Sequence, residues 1–350
     1  MTGPPPEPPA PRPTAPWSPE ALPDATRRLH LPYRRHRHAA QLEQRARHWA
    51  AENGLATGPA ASRLRAHGLD RLASVVMAEE RDAHALLYAR WLIWVFCLDD
   101  HIESATAPEE IDALFGGLLT RTEHPARAPH DRTGEPARVI ETALALLWQE
   151  SGRCMSHHWQ ERFRRHLREQ RTGCLSEHHL RRAHTVPTAE EYPLLRRRSS
   201  GLWLYDLPEA VLGIELPSSF AAMTLWRDLV CRVSDAANLC NDILSCSKEA
   251  ADQLTMNALL VARHRLGLTG AAAVHWVTGH IVDHLDHAAA LGREIPGAAA
   301  GLGLPPRAVR DVSRVACAVL NFPAAYLAWA LDSARYTEPT GAGGGDPEPS

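Results

Sequence analysis

Asp99, Asp100 and Glu103 end an apolar run, WLIWVFCL, inside a segment with helical periodicity. On a helix Asp99 and Glu103 lie four apart and share a face, with Leu92, Val95 and Phe96 on the turns below. Carboxylates gathered in this way repel one another unless a cation sits between them. Hard oxygen donors suit Mg²⁺, which keeps several waters and fills the rest of its shell from phosphate oxygens. Alone, the triplet also reads as an exposed acidic helix end. A second row, Asn241, Ser245 and Glu249, runs at i, i+4 and i+8 along the segment that begins FAAMTLWRDLVCRVSDAANL. At about 100° and 1.5 Å per residue, these three fall within about 80° of each other and climb about 12 Å. Ser234 and Asn238 extend the stripe backward, and Lys248 places an ammonium beside it. Amide, hydroxyl and carboxylate oxygens in a line form one metal seat with less charge than three carboxylates. The other reading is a polar seam packed against a neighbouring helix. Burying the stripe without any partner would cost several kcal/mol.

The elements that must position these rows are helices. The periodicity predicts helices over 37–52, 57–68, 70–79, 81–104, 108–121, 135–151, 154–171, 188–204, 207–213, 218–249, 254–264, 269–292 and 306–336. Breaks fall at Asn53-Gly54, Thr122 to Gly134, Val186-Pro187, Leu216-Pro217 and Pro296-Gly297. No alternating apolar run with hairpin punctuation supports a sheet, so the fold class is all-α. Helices that are apolar on most sides belong in the middle of a bundle. Residues 1–28 form a Pro-rich segment without a core, 29–336 one helical domain, and 337–350 a Gly/Pro-rich tail.

Composition narrows the partners. The chain has 350 residues, 45% hydrophobic and 23% charged, enough for a sizeable core. A net charge of −3 gives no footprint for nucleic acid or an anionic membrane. Arg164, Arg165, Arg181 and Arg182, interleaved with Glu, His and Leu, read as solvated helix surface, as do His157-His158 and His178-His179. Seven scattered cysteines make no disulfide framework and fit a reducing cytosol. The N-terminus has no secretory h-region, and Trp91–Leu98 is too short to span a bilayer. His280, Asp283, His284 and His287 share a helix face at metal-ligand spacing, but no catalytic base accompanies them.

Asp99-Asp100-His101-Ile102-Glu103 resembles the aspartate-rich motif of class I terpene synthases, and Asn241 to Glu249, NDILSCSKE, resembles their NDxxSxxKE triad. Arg335-Tyr336 looks like the family's terminal RY pair, and EYPLLRRRSSG, Glu191 to Gly201, like the segment with its diphosphate-sensing arginine. The resemblance spans about 30 to 336. It implies a helical class I terpenoid synthase-like bundle around a central cavity, and three Mg²⁺ ions held by Asp99, Asp100 and Glu103 on one side and Asn241, Ser245 and Glu249 on the other. Arg196, Lys248, Arg335 and Tyr336 would donate to the diphosphate. Arg196 is preferred over Arg197 and Arg198 because it follows Tyr192 by four. In that register Ser199 is the linker and Ser200 the carbonyl-bearing effector at the helix break; choosing Arg197 would move the effector to Gly201.

The implied reaction is ionisation and cyclisation of an isoprenoid diphosphate, farnesyl diphosphate by preference, to a terpene hydrocarbon or alcohol. A carbocation needs an apolar, aromatic pocket, because ring faces attract cations without reacting. Phe96, Trp203, Phe322 and Trp329 are the candidates, with Tyr326 on the same stripe as Phe322 and Trp329. For any individual ring, core packing is the plainer reading. The rivals are a chain-elongating prenyl diphosphate synthase, which would carry a second DDxxD in place of the triad, and a non-catalytic helical interaction protein. The expected partner is a small-molecule isoprenoid diphosphate, and the resemblance allows a homodimer.

Overall fold

The computed structural model describes residues 34–56, 62, 64, 67–125, 135–251, 255–331 and 333, with backbone alone at 69, 70 and 247–251. The expected segments 1–28 and 337–350, and most of the helix expected over 57–68, lie outside them. Among the described residues all regular structure is helical: α1 (Ala39–Glu52), α2 (Leu69–Val76), α3 (Asp82–Ser104), α4 (Pro108–Glu123), α5 (Pro136–Glu150), α6 (His157–Arg182), α7 (Tyr192–Ser200), α8 (Leu207–Leu212), α9 (Ser218–Ala221), α10 (Thr224–Ala251), α11 (Ala258–Leu266), α12 (Gly270–Gly301) and α13 (Pro306–Leu331). Short 3₁₀ turns cover Gly152–Cys154 and Leu202–Tyr205.

Helix α3 is the buried centre, packed by α1, α2 and α5, while α10 is wrapped by α12 and α13, and α6 carries α4 and α7. Trp91, Leu92, Ile93 and Trp94 of α3 are fully buried. Phe163 stands 5.1–6.2 Å from the rings of Trp91, Trp148, Trp159 and Trp203, and Trp94 meets Trp91 and Trp203 edge-on at 5.6 and 5.5 Å. Tilted and edge-to-face pairs of this kind stabilise beyond area burial. The indoles are also tied: Trp91 Nε1 donates to Ser151 Oγ at 3.1 Å and Trp94 Nε1 to Ile140 O at 2.8 Å. This aromatic floor fixes where the last turns of α3 point. One described helix, α13, is long and apolar enough to cross a membrane by length and composition, yet 61% of that stretch is buried within the fold.

Several expected boundaries move. The helix expected over 154–171 begins at His157, where Ser156 Oγ accepts from Trp159 N, and continues to Arg182. Gly173 does not end it, because the position is a crossing point: a Cβ there would stand 2.4 Å from Ser199 N. The helix expected over 188–204 breaks at Gly201, whose φ of 82° is left-handed and whose Cβ would meet Trp203 and Gln170 within 2.9 Å. The segment 218–249 is interrupted between Ala221 and Thr224, and α12 runs through Pro296, with Ile295 and Ala299 buried beside it. Two surface assignments are corrected: Arg164 is buried and bonds the Thr122 carbonyl at 2.9 Å, and His178 is buried.

An ionic cluster holds α6 against α8. Arg162 Nε donates to Asp206 Oδ1 at 2.9 Å and its NH2 meets Glu209, while His166 Nδ1 lies 2.7 Å from Asp206 Oδ2 and Leu216 N donates to Glu209 Oε2 at 2.8 Å. Burial pushes Glu209 up to about 8 against the pull of Arg162. Burial acts on Asp206 too, but His166 and Arg162 outweigh it and hold its carboxyl below the ordinary range. Asp206 is therefore the firmer counter-charge of Arg162, and Glu209 the acid that holds its proton to higher pH. A raised acid contributes stability that is complete below its ordinary value and lost as pH climbs through about 8. Glu209→Gln, which has no proton to lose, is thus expected to gain on the parent as pH rises from about 5 to 8 and to hold that gain, without adding to it, at pH 9. Asp206→Asn leaves Arg162 with Glu209 as its remaining carboxylate and is expected to cost about 3 kcal/mol or less. Unfolding free energies from urea titrations at pH 5, 7 and 9 check both.

Candidate active site

The C-terminal turns of α3 and the middle of α10 face one another across a cavity of about 170 Å³. Asp99 and Glu103 line it from α3, Asn241 and Ser245 from α10, and Arg196, Ser199 and Ser200 from α7. Phe96 and Phe322 are in its wall. Asp100 is exposed beside Asp99 and is not among the lining residues. Lys248 and Glu249 follow Ser245 on the α10 backbone, their side chains outside the description, and Arg335 and Tyr336 lie outside the described residues.

The α10 row is organised donor by donor. Ser245 Oγ donates to Asn241 O at 2.8 Å, which occupies its proton and leaves its lone pairs to accept. Asn241 Nδ2 donates to Tyr326 OH at 2.7 Å, which sets the amide with Oδ1 toward Arg196 NH2, also at 2.7 Å. Next to it Asp242 is fully buried and accepts from Tyr192 OH, from Arg196 Nε at 3.2 Å and from Ala258 N at 2.7 Å. Burial raises the Asp242 carboxyl against the pull of those donors. Asn257 Nδ2 donates to the Asp242 carbonyl at 2.8 Å and its Oδ1 caps α11 by accepting from Leu259 N. One carboxylate therefore joins α7, α10 and the start of α11.

The three arginines of α7 separate. Arg196 faces the cavity, Arg197 pairs with Asp235 at 2.7 Å, and Arg198 is exposed. At the break after Ser200, Gln170 bridges both sides: its Nε2 donates to Ser199 O at 3.2 Å and its Oε1 accepts from Trp203 Nε1 at 2.7 Å. Asn238 Nδ2 donates to Ser200 Oγ at 3.1 Å.

Helix α6 supplies a wall that the motifs did not reveal. Cys174, Glu177, His178 and Arg181 line the cavity at i, i+3, i+4 and i+7, a face legible in the sequence once the helix is extended past 171. Arg181, expected in solvent, donates to Glu103 O at 3.4 Å and Ala105 O at 3.1 Å, a cation on the last carbonyls of α3. Burial raises the Glu177 carboxyl, Arg196 and the Ser199 hydroxyl oppose it, and Glu103 adds to the rise.

Below the oxygen-rich mouth the wall is apolar: Leu92, Val95, Phe96, Tyr205, Phe322 and Tyr326. Phe322 lies 5.7 Å from Tyr205 and 6.1 Å from Tyr326, in one band of rings. Trp203 is a correction: the 3₁₀ turn after Gly201 directs it into the core against Trp94 and Phe163, and brings Tyr205 to the cavity instead. Trp329 is also behind the wall, 5.2 Å from Phe96 and 5.4 Å from Tyr326, with Nε1 donating to His67 O at 2.8 Å.

Two histidine groups are unsuited to a metal. His36, His38 and Asp82 offer three ligand atoms within 4.8 Å. His36 Nδ1 accepts from His38 N at 3.1 Å, so its proton is on Nε2, which lies 2.9 Å from Glu80 O and has no lone pair to give. On α12, His280 meets Trp276 edge-on at 4.4 Å, His284 Nδ1 lies 3.3 Å from Arg232 NH1, and His287 bonds the Asp283 carbonyl.

Residues 90–287 match the family model described as terpene synthase family 2, C-terminal metal binding, which covers more than half of the chain. Pristinol synthase of Streptomyces pristinaespiralis is 28% identical over 340 residues, covering 94% of this chain and 88% of that protein. A (−)-beta-caryophyllene synthase of Saccharothrix espanaensis, named as cyclising (2E,6E)-farnesyl diphosphate, is 29% identical over 231 residues, 64% of each chain. The crystal structure of linalool/nerolidol synthase from Streptomyces clavuligerus superposes with a TM-score of 0.74 at 22% identity, covering 85% of this chain and 98% of that one. Its complex with 2-fluorogeranyl diphosphate gives 0.72 at 23%, over 85% and 100% of the two chains. Helical architecture, the matched metal-binding region and relatives along nearly the whole length agree, and the chain belongs to the bacterial class I terpene synthases.

Proposed function

We propose that this enzyme ionises an allylic isoprenoid diphosphate, farnesyl diphosphate in the first instance, and closes the cation to a terpene hydrocarbon or alcohol with release of diphosphate. The observation that carries the reading is a single cavity lined on one part by oxygen donors with Arg181 and Arg196, and on another by rings and aliphatics. The relative named for cyclising farnesyl diphosphate supports that chain length.

The donor set fits Mg²⁺. Asp99, Glu103, Asn241 Oδ1 and Ser245 Oγ are hard oxygens on two facing helices, without the thiolate or imidazole pairs that favour softer ions. Asp100 and Glu249 would add to the two rows, for three ions in all. Magnesium bound there would neutralise the charge that grows on the diphosphate as the allylic C–O bond breaks. Arg196 presents a planar fork to phosphate oxygens, and Lys248, Arg335 and Tyr336 would donate beside it. Ser199 and Ser200 stand at the break of α7, where a carbonyl can turn toward the new cation. Phe96, Tyr205, Phe322 and Tyr326 offer ring faces to the positive charge and no nucleophile strong enough to trap it.

Incubation with farnesyl diphosphate and Mg²⁺, with and without isopentenyl diphosphate, is expected to give a volatile hydrocarbon or alcohol in both cases by gas chromatography. A longer diphosphate would instead identify a chain-elongating enzyme. Asp99→Ala and Asn241→Ala are each expected to lower turnover by roughly 10²–10³-fold with unchanged far-ultraviolet circular dichroism. Parental turnover in both variants would remove the two rows from the reaction.

A further inference from the structure

On the side of α7 away from the cavity, a second charged contact joins it to α10. Arg197 Nε lies 2.7 Å from Asp235 Oδ1 in a charged contact between two largely buried groups. Asp235 is 7% exposed, with Arg232 adding positive charge nearby and His284 Nε2 at 3.8 Å from its other oxygen. Asp235, Asn238 and Asp242 occupy i, i+3 and i+7 on one face of α10, and meet Arg197, Ser200 and Arg196 of α7 respectively. None of the reading of the cavity required Asp235.

Successive helix residues point about 100° apart, so pinning Arg197 on one side of α7 fixes where Arg196 points. The contact from Arg196 to Asn241 Oδ1 cannot hold that rotation in the loaded enzyme, since on the function proposed above the same oxygen goes to a cation. Tyr192 anchors the first turn through Asp242, a full turn before Arg196. The Asn238–Ser200 bond is neutral on both sides and weaker than a charged contact. Arg196 also pairs with Asp242 at 3.2 Å, but through the guanidinium that must meet the ligand; Arg197–Asp235 is a charged tether of α7 that uses no group in the cavity.

We propose that Asp235 is a positioning residue for the diphosphate-facing arginine: paired with Arg197, it sets the rotation of α7 so that Arg196 and Ser200 stay turned into the cavity. The proposal rests on the reading of the cavity as a diphosphate site. It gives each of the three consecutive arginines a place: Arg196 in the cavity, Arg197 in the tether and Arg198 in solvent.

The test uses the full chain, with calorimetric titration of inorganic pyrophosphate in excess Mg²⁺, steady-state kinetics on farnesyl diphosphate, and a thermal midpoint for every variant. Asp235→Asn and Arg197→Gln are each expected to weaken pyrophosphate binding about tenfold and raise KM by a similar factor, with kcat falling less. The double variant is expected to be no worse than either single one. Arg197→Lys, which keeps the charge, recovers most of the affinity, and Arg198→Gln matches the parent. Parental affinity and KM in Asp235→Asn, whatever its thermal midpoint, overturn the proposal, as do additive losses in the double variant. A loss in Arg197→Gln that Asp235→Asn does not share makes Arg197 itself the ligand's partner and also overturns it. A parent that binds no pyrophosphate with Mg²⁺ removes the diphosphate reading, and the proposal with it.

Discussion

A carboxylate taken wholly out of water has to be surrounded by donors, and at Asp242 those donors come from three helices. Tyr192 and Arg196 belong to α7, Ala258 to α11, and Asp242 itself to α10. Were any of these helices to shift, the group would lose a partner inside a protein interior, where an orphaned charge is far more costly than at the surface. The cavity's upper wall inherits its order from this requirement. Asn241 is the next residue, so the amide and hydroxyl that face the cavity are held at one side by the same contact that docks α7.

The opposite wall is held differently. Helix α3 is clamped along its length by packed indoles and terminated by Arg181, which takes up its last carbonyls. Asp99 and Glu103 thus project from a rigid rod whose end is electrostatically finished. A flexible acidic tip could collapse onto nearby arginines. One wall is set by apolar packing and the other by a polar knot, and the cavity is the space they leave.

The two oxygen rows and their helices were legible because their signal is local: fixed spacing on a strongly periodic segment. What the sequence concealed depends on how helices cross. The helix expected to end at 171 runs on to Arg182, so His178 and Arg181, which read as surface, line the cavity together with Glu177, and the docking of α7 on Gly173 places that face. Tyr205 stands in the cavity where Trp203 is expected, for the same reason: the left-handed residue at Gly201 rotates the chain beyond it, and no period carries across such a break. The register after Tyr192 singled out Arg196 among three adjacent arginines, but the partners that separate Arg196 from Arg197, Asp242 and Asp235, lie more than thirty residues away. Pro296 shows the opposite failure, a strong breaker overridden because buried Ile295 and Ala299 keep α12 continuous.

The glycine at the crossing of α6 and α7 also bears on how such an enzyme can diversify. With the backbone of Ser199 and Arg198 where a side chain would begin, no bulk can be added at position 173 without dislodging the neighbouring helix. That seam admits no graded adjustment, so descendants that acquire a differently shaped chamber must remodel it from the α3 and α13 side, where Phe96 and Phe322 can shrink or grow one atom at a time.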